Sequence, residues 1–410
     1  MKAMVLAGGL PQIALIKEIK SRGISVVLLD YFPNPVAKPY ADTFYQVSTL
    51  DIQAVTEIAK KECVDFVITV CTDQALLTVA KVSEDLGLPC YIDYQTALNV
   101  TNKSYMKRVF SEKDISSARF VVMDEFDSDK VSNLSFPLIV KPVDCNSSKG
   151  VRRVENMCEL REAFTDARQL SRTNNVIVEE YVDGVELSID VYVENGKAHV
   201  LSISQLDKLP DKDKFVIFRS KTPENLTNIA RQNVQKAAQQ IAEAFQIRNA
   251  PMLIQAISDG SKVYVLEFSA RTGGGEKFVM IKRLSGFDVI KAVVDLTLGN
   301  VPHYEKICPN TPYFASEFIY CENGVFDQIV GADELLKSGI LSDFYQFKTS
   351  GMAVGDARNS GDRAAGYSIV ADTREKLEYK HNVTVSTLKV LDINGNNIMR
   401  YDLLPEIFCG

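Results

Sequence analysis

The chain has 410 residues, of which 46% are hydrophobic and 24% charged, the balance of a fully folded protein of two to four units rather than a disordered one. A net charge of −7 gives no polybasic field for a phosphate backbone, so nucleic acid is not expected as a partner. No stretch reaches the roughly 20 apolar residues of a membrane span, and no membrane association is expected.

The opening segment MKAMVLAGGL interrupts its apolar run with two glycines, unlike a secretory signal, so a cytoplasmic location is expected. The eight cysteines form no CxxC pair, and the three histidines stand far apart at 199, 303 and 381. Free thiols are expected; a histidine-rich metal site or a Ser-His-Asp triad is not.

Over residues 1–100, short continuous apolar runs (AMVLAGG, ISVVLLD, VDFVITV) alternate with helical patterns (PQIALIKEIKSRG, DIQAVTEIAKKE, QALLTVAKVSEDLG). This alternation predicts a doubly wound parallel sheet covered on both faces. The loop Gly8-Gly9-Leu10-Pro11, with Asp30 closing the second strand, invites a dinucleotide reading. The third glycine of that fingerprint is missing and Pro11 lacks an amide, so a plain strand-to-helix turn is preferred.

From about residue 101 the pattern changes to a helix NKSYMKRVFSEKD, a strand FPLIVKPVD, a Gly/Ser/Lys loop and a helix ENMCELREAFTDARQL. Two strands, NVIVEEYV and VELSIDVYVENGK, lead to the amphipathic helix ENLTNIARQNVQKAAQQIAEAF and a hairpin, MLIQAI and KVYVLEFSA. Gln205 to Ser220 reads as a long charged loop carrying Lys208, Lys212, Lys214 and Arg219. The residues from about Pro302 onward read as a third, small mixed unit.

An enzyme that spends ATP must neutralise a triphosphate, hold Mg2+ by carboxylates and seat adenine in an apolar slot. Lys103 opens a helix, Lys141 ends an apolar strand, and Ser147, Ser148, Lys149 and Gly150 form a small-residue loop whose amides can approach phosphate oxygens. Each is ordinary alone; a solvated lysine or a plain turn is the commoner case.

In order and spacing, Lys103, Lys141, the Ser147–Gly150 loop, Glu179-Glu180-Tyr181-Val182, Glu186 and Glu267-Phe268-Ser269-Ala270-Arg271 resemble the ATP-grasp superfamily over roughly residues 1–305. The resemblance implies an α/β and α+β chain. A pre-ATP-grasp domain (1–100) leads into a central ATP-grasp domain (101–305, subdomains about 101–178 and 179–305), followed by a C-terminal mixed domain (306–410). It implies that ATP is bound by Lys103, Lys141, residues 147–150, the hinge Glu179, Glu180, Tyr181 and Val182, the ribose-binding Glu186, and apolar walls Ile139 and Leu266. Mg2+, with Mn2+ as an alternative, falls to Glu267, Gln255 and Ser269; the family usually has acids at the first two and Asn at the third, so Gln255 and Ser269 depart from it. Glu276 is a further acid for the metal, or a salt-bridged surface residue.

Arg271 and Lys141 are the implied catalytic residues, and Arg271, Gly273, Gly274 and Arg363 the implied substrate contacts, with Cys71-Thr72-Asp73 adding specificity. The expected reaction is carboxylate–amine or carboxylate–thiol ligation through an acyl phosphate, releasing ADP and phosphate. The expected substrates are a small carboxylate and an amine, such as an amino acid, and a homodimer is the assembly to test. A bicarbonate-activating carboxylase-like enzyme and an ATP-binding protein with a decayed site stay open.

Overall fold

The computed structural model describes residues 1–145, 150–209, 216–307, 313–355, 357 and 360–404. Strands Lys2–Leu6, Ser25–Asp30, Thr43–Gln46 and Phe66–Ile68 form a parallel sheet in which the first strand lies between the second and the fourth. Helix Leu10–Ser21 packs on one face and helices Ile52–Glu62 and Asp73–Leu86 on the other, in two separate apolar clusters, so the continuous apolar strands follow from burial on both faces. Asp30 accepts from the Gly8 amide (2.7 Å) and the Phe32 amide (2.8 Å). It thus closes its own loop, and Pro35 lies so near Gly8 that a Cβ there would come within 2.6 Å of it.

A second, antiparallel sheet orders Phe120–Met123, Val176–Glu180, Leu138–Pro142 and Arg152–Val154. Helix Met157–Leu170, capped by the Asn156 side chain, covers its buried face. Along Leu138–Pro142 every second residue is buried, leaving Ile139 and Lys141 partly exposed on the opposite face.

The third sheet has eight strands and crosses the expected boundary at residue 305. From one edge it runs Val263–Ser269, Ala250–Ser258, Val185–Glu194, Lys197–Lys208 and Ile217–Lys221, then continues through Tyr313–Ile319, Ala365–Ala371 and Asp343–Gln346. Helix Asn228–Ala244 buries Ala230, Val234, Ala237, Ala238, Ile241 and Ala242 against it; the period of about four is the expected stripe.

The stretch expected as a charged loop is largely a hairpin, in which Gln205 pairs with Lys221, Leu206 with Ser220 and Asp207 with Arg219. Arg219, read as one of that loop's charges, is buried and donates to Glu317 at 2.7 Å. The polar side chains alternate with apolar ones that face the core, which is why the segment reads as a loop from charge alone. Lys212 and Lys214 lie outside the described residues, as do Ser147, Ser148 and Lys149. Cys63, Cys71, Cys90, Cys145, Cys158 and Cys321 are free thiols, and among the described residues no helix is long and apolar enough to cross a membrane.

Candidate functional site

The cleft is built where the second and third sheets meet. Asn102 caps helix Lys103–Glu112 through its side chain, and this fixes Lys103 at the first turn, facing the edge of the large sheet. Its Nζ lies 3.0 Å from Glu267 Oε2 and donates to the Cys145 carbonyl at 2.6 Å. Burial opposes both charges, but the pair outweighs it: Lys103 is held above the usual ammonium range and Glu267 below the usual carboxylate range, with Lys141 adding to the field on Glu267.

Four residues along the same helix, Lys107 enters the interior. Only 1% of its side chain is exposed, and its Nζ lies 2.8 Å from Glu179 Oε2 in an ion pair too far out of line to be a hydrogen bond. Lys141 donates to the other oxygen, Glu179 Oε1. Burial works against the Glu179 charge, yet the two ammonium groups overcome it and hold the carboxyl at about 2, while burial pulls Lys107 below the usual lysine range. Sequence reading missed Lys107. Its signal was a lysine one helical turn from Lys103, between the core residues Met106 and Val109.

Glu179 therefore turns its side chain toward the lysines and leaves its backbone at the end of its strand. Glu180 faces away, receiving Arg119 Nε (2.9 Å) and the Ser135 amide (2.8 Å). The Tyr181 amide goes to the Pro137 carbonyl (2.9 Å), so Val182 is the first backbone group beyond the sheet pairing. Gly150 borders the second sheet at φ +76°. Gly184, at φ +155°, passes so near the large sheet that a Cβ would come within 2.4 Å of the Ser258 carbonyl oxygen. Glu186, the second residue of the next strand, pairs with Lys208 at 2.7 Å.

Gln255 sits directly opposite Glu267 in the edge hairpin, and the register slips just after this pair. That irregularity leaves the neighbours Leu266 and Glu267 both partly exposed in an otherwise alternating strand. Ser269, two residues on, lies near enough to Asp73 to help Arg271 hold that carboxyl below the usual range against burial. Among the described residues no three His, Cys, Asp or Glu side chains form a metal cluster. Glu276 is not a surface residue: it is buried and accepts from the Ser316 hydroxyl. One carboxylate, an amide oxygen and a hydroxyl still fit Mg2+, which keeps several waters and shares phosphate oxygens.

Below Glu267 the cleft opens into a cavity of about 650 Å³ lined by Arg271, Gly273, Gly274, Glu276, Lys277 and Arg363, among others. Arg271 is gripped by Asp73, Nε to Oδ1 at 2.7 Å and Nη2 to Oδ2 at 2.5 Å. Arg363 lies flat on the Phe318 ring, 3.4 Å from its centroid, with Nε 3.2 Å from the Tyr320 hydroxyl. Cys71, at φ +62°, contacts the Thr272 hydroxyl at 3.3 Å.

Residues 134–279 match the family described as ATP-grasp domain, which contains the hinge, Lys141, Gln255, Glu267 and Arg271. This stretch of the chain is an ATP-grasp domain. It is 30% identical over 221 residues to a D-alanine–D-alanine ligase of Cupriavidus pinatubonensis, covering 49% of this chain and 65% of that protein. It is 24% identical over 249 residues to a formate-dependent phosphoribosylglycinamide formyltransferase of Mannheimia succiniciproducens, covering 59% of this chain and 62% of that one. The matches thus span somewhat less than two thirds of these relatives. In fold, the chain superposes with TM-score 0.80 and 14% identity on the biotin carboxylase domain of the Hydrogenobacter thermophilus 2-oxoglutarate carboxylase, solved with MgADP and bicarbonate, covering 97% of this chain and 91% of that one.

Proposed function

We propose that this ATP-grasp protein spends Mg-ATP to activate a small carboxylate as an acyl phosphate, which an amine or thiol then attacks, releasing phosphate. The observation that carries the reading is the convergence of Lys103, Lys141, Glu179 and Glu267 on one cleft beside the hinge. Phosphoryl transfer asks mainly for positioned charge, and this cleft pairs its lysines with carboxylates that phosphate oxygens can replace.

In this reading adenine lies between Ile139 and Leu266 against the backbone of residues 179–182, with Glu186 on the ribose. Lys103, Lys141 and the residue 147–150 loop take the phosphates. A bound Mg2+, held by Glu267 with Gln255 and Ser269, supplies charge neutralisation at the phosphates. Arg271 cannot deprotonate, so it acts by clamping the acceptor carboxylate and the oxygen that develops charge as phosphate is transferred. Gly273 and Gly274 leave room for the acceptor, and Arg363 contributes a second guanidinium on the far wall. The chain acts as a three-part enzyme with boundaries near residues 100 and 305, the last part bound into the large sheet.

The test is ADP release measured over a panel of amino acids and small carboxylates, alone and paired with amines, with and without Mg2+, on wild type and Glu267→Ala. An acid that stimulates the wild type and not the variant supports the ligase reading. Stimulation by bicarbonate without an amine would replace it with carboxylation. Gln255 opposite Glu267 favours one further reading, a nucleotide-binding protein without turnover; binding of ATP with no response across the panel would establish that instead.

A further inference from the structure

The cavity beyond Arg271 contains a carboxyl group that nothing in the ATP reaction uses. Glu276 is 2% exposed and lines the cavity wall. Its Oε1 is engaged by the Ser316 hydroxyl, whereas its Oε2 has no hydrogen-bond partner among the described residues. Among the described residues no Lys, Arg or His lies within 4.0 Å of it, although Arg363 and Lys277 are close enough to act on it through space. These two cations are committed elsewhere: Arg363 to the Phe318 face and Tyr320, and Lys277 to Ser204 at 2.5 Å and Asp190 at 3.7 Å.

A buried carboxyl oxygen without a donor is costly unless something else supplies one, and beside an open cavity that donor can come from a ligand. The residue is also placed for this. It follows Gly273-Gly274-Gly275, which line the same cavity, and Gly275 takes φ +68° to turn the chain into helix Lys277–Ser285. Burial pushes the Glu276 carboxyl up, as expected for an acid waiting for a positive partner.

On the ligase reading proposed above, we infer that Glu276 is the docking group for the second substrate, a primary amine whose ammonium form rests on Oε2. The cavity then has two ends. Arg271 takes the anionic acceptor beside the phosphates, and Glu276 holds the amine as its ammonium on the opposite side, so the two substrates are sorted by charge before they meet; the ammonium passes one proton to the Glu276 carboxylate, and the free amine attacks the acyl carbon as phosphate leaves.

The experiment separates the two ideas by changing the nucleophile. Carboxylates are supplied with Mg-ATP and either hydroxylamine, a small neutral nucleophile that traps an acyl phosphate as the hydroxamate, or glycine and methylamine as ammonium probes at pH 8. Wild type is compared with Glu276→Gln and Glu276→Asp. The expected result is hydroxamate formation within twofold of wild type in both variants. For the ammonium probes, KM rises about tenfold or more in Glu276→Gln, and Glu276→Asp partly restores it. Unchanged hydroxamate yield also shows that the variants are folded. Equal KM values for the ammonium probes in wild type and Glu276→Gln, with hydroxamate formed, would overturn the Glu276 assignment and leave the ligase reading standing. No hydroxamate from wild type with any acid would overturn both.

Discussion

Asp73 and Arg271, 198 positions apart, meet fork to fork with hydrogen bonds of 2.7 and 2.5 Å. The pair ties the first turn of a helix in the N-terminal sheet domain to the strand end that carries the proposed clamp. A bidentate carboxylate fixes both the position and the plane of a guanidinium, so the N-terminal domain sets where Arg271 points.

Removing that partner should therefore affect the acceptor and not the nucleotide. Asp73→Asn is expected to lower kcat/KM for the acid by about 10- to 100-fold, equivalent to about 1.4–2.7 kcal/mol, while ATP affinity by calorimetry changes less than twofold. Equal losses for ATP and acid would show instead a general disturbance of the cleft.

Glu179 between Lys107 and Lys141 gives a stability prediction. Deleting one member of a buried ion cluster leaves uncompensated charge, so Glu179→Gln should destabilise the protein by about 3–5 kcal/mol in urea unfolding. The pH dependence has a definite sign. The folded carboxyl titrates at about 2, below the ordinary value near 4.5, so its contribution is complete above about pH 5 and is lost as pH falls from there toward 2. Wild type should lose stability across that window more steeply than Glu179→Gln.

The departure at Gln255 can be reversed. A second carboxylate opposite Glu267 should strengthen the divalent site, so Gln255→Glu is expected to lower half-saturating Mg2+ roughly tenfold, and Glu267→Gln to raise it about 10- to 100-fold. Titration of ADP release or of nucleotide binding with Mg2+ measures both; a Gln255→Glu protein with unchanged Mg2+ demand would remove Gln255 from the metal site.

Gly184 is the tightest point of the hinge. Any side chain there collides with the Ser258 carbonyl oxygen, so Gly184→Ala should push residues 182–186 off the sheet edge. A loss of about 1–3 kcal/mol in stability and at least a tenfold weaker ATP complex, about 1.4 kcal/mol, are expected by thermal unfolding and calorimetry; Gly196→Ala, whose Cβ would meet nothing within 4 Å, serves as the control for strain without collision.

Much of this site was legible because its residues follow one another in a fixed order along separate elements: Lys103 at a capped helix start, Lys141 and Glu267 at strand faces, Arg271 after the last strand. What the order does not contain is who pairs with whom. Lys107 was hidden because a charge on an apolar helix face looks like an exception until Glu179 is seen beneath it. The union of Ile217–Lys221 with Tyr313–Ile319 depends on register between strands far apart in the chain, which no local pattern encodes. The surface reading of Glu276 failed because a residue's type does not reveal its exposure, and the side chain is buried.

The continuous eight-stranded sheet also bears on how this protein can be cut. A fragment ending near residue 305 would retain every proposed ATP ligand but lose the neighbour of Ile217–Lys221, baring a row of amides and carbonyls and stranding Arg219 without Glu317. Such an open border recruits other chains, so the nucleotide site is not a portable module: the last hundred residues act as its selvedge.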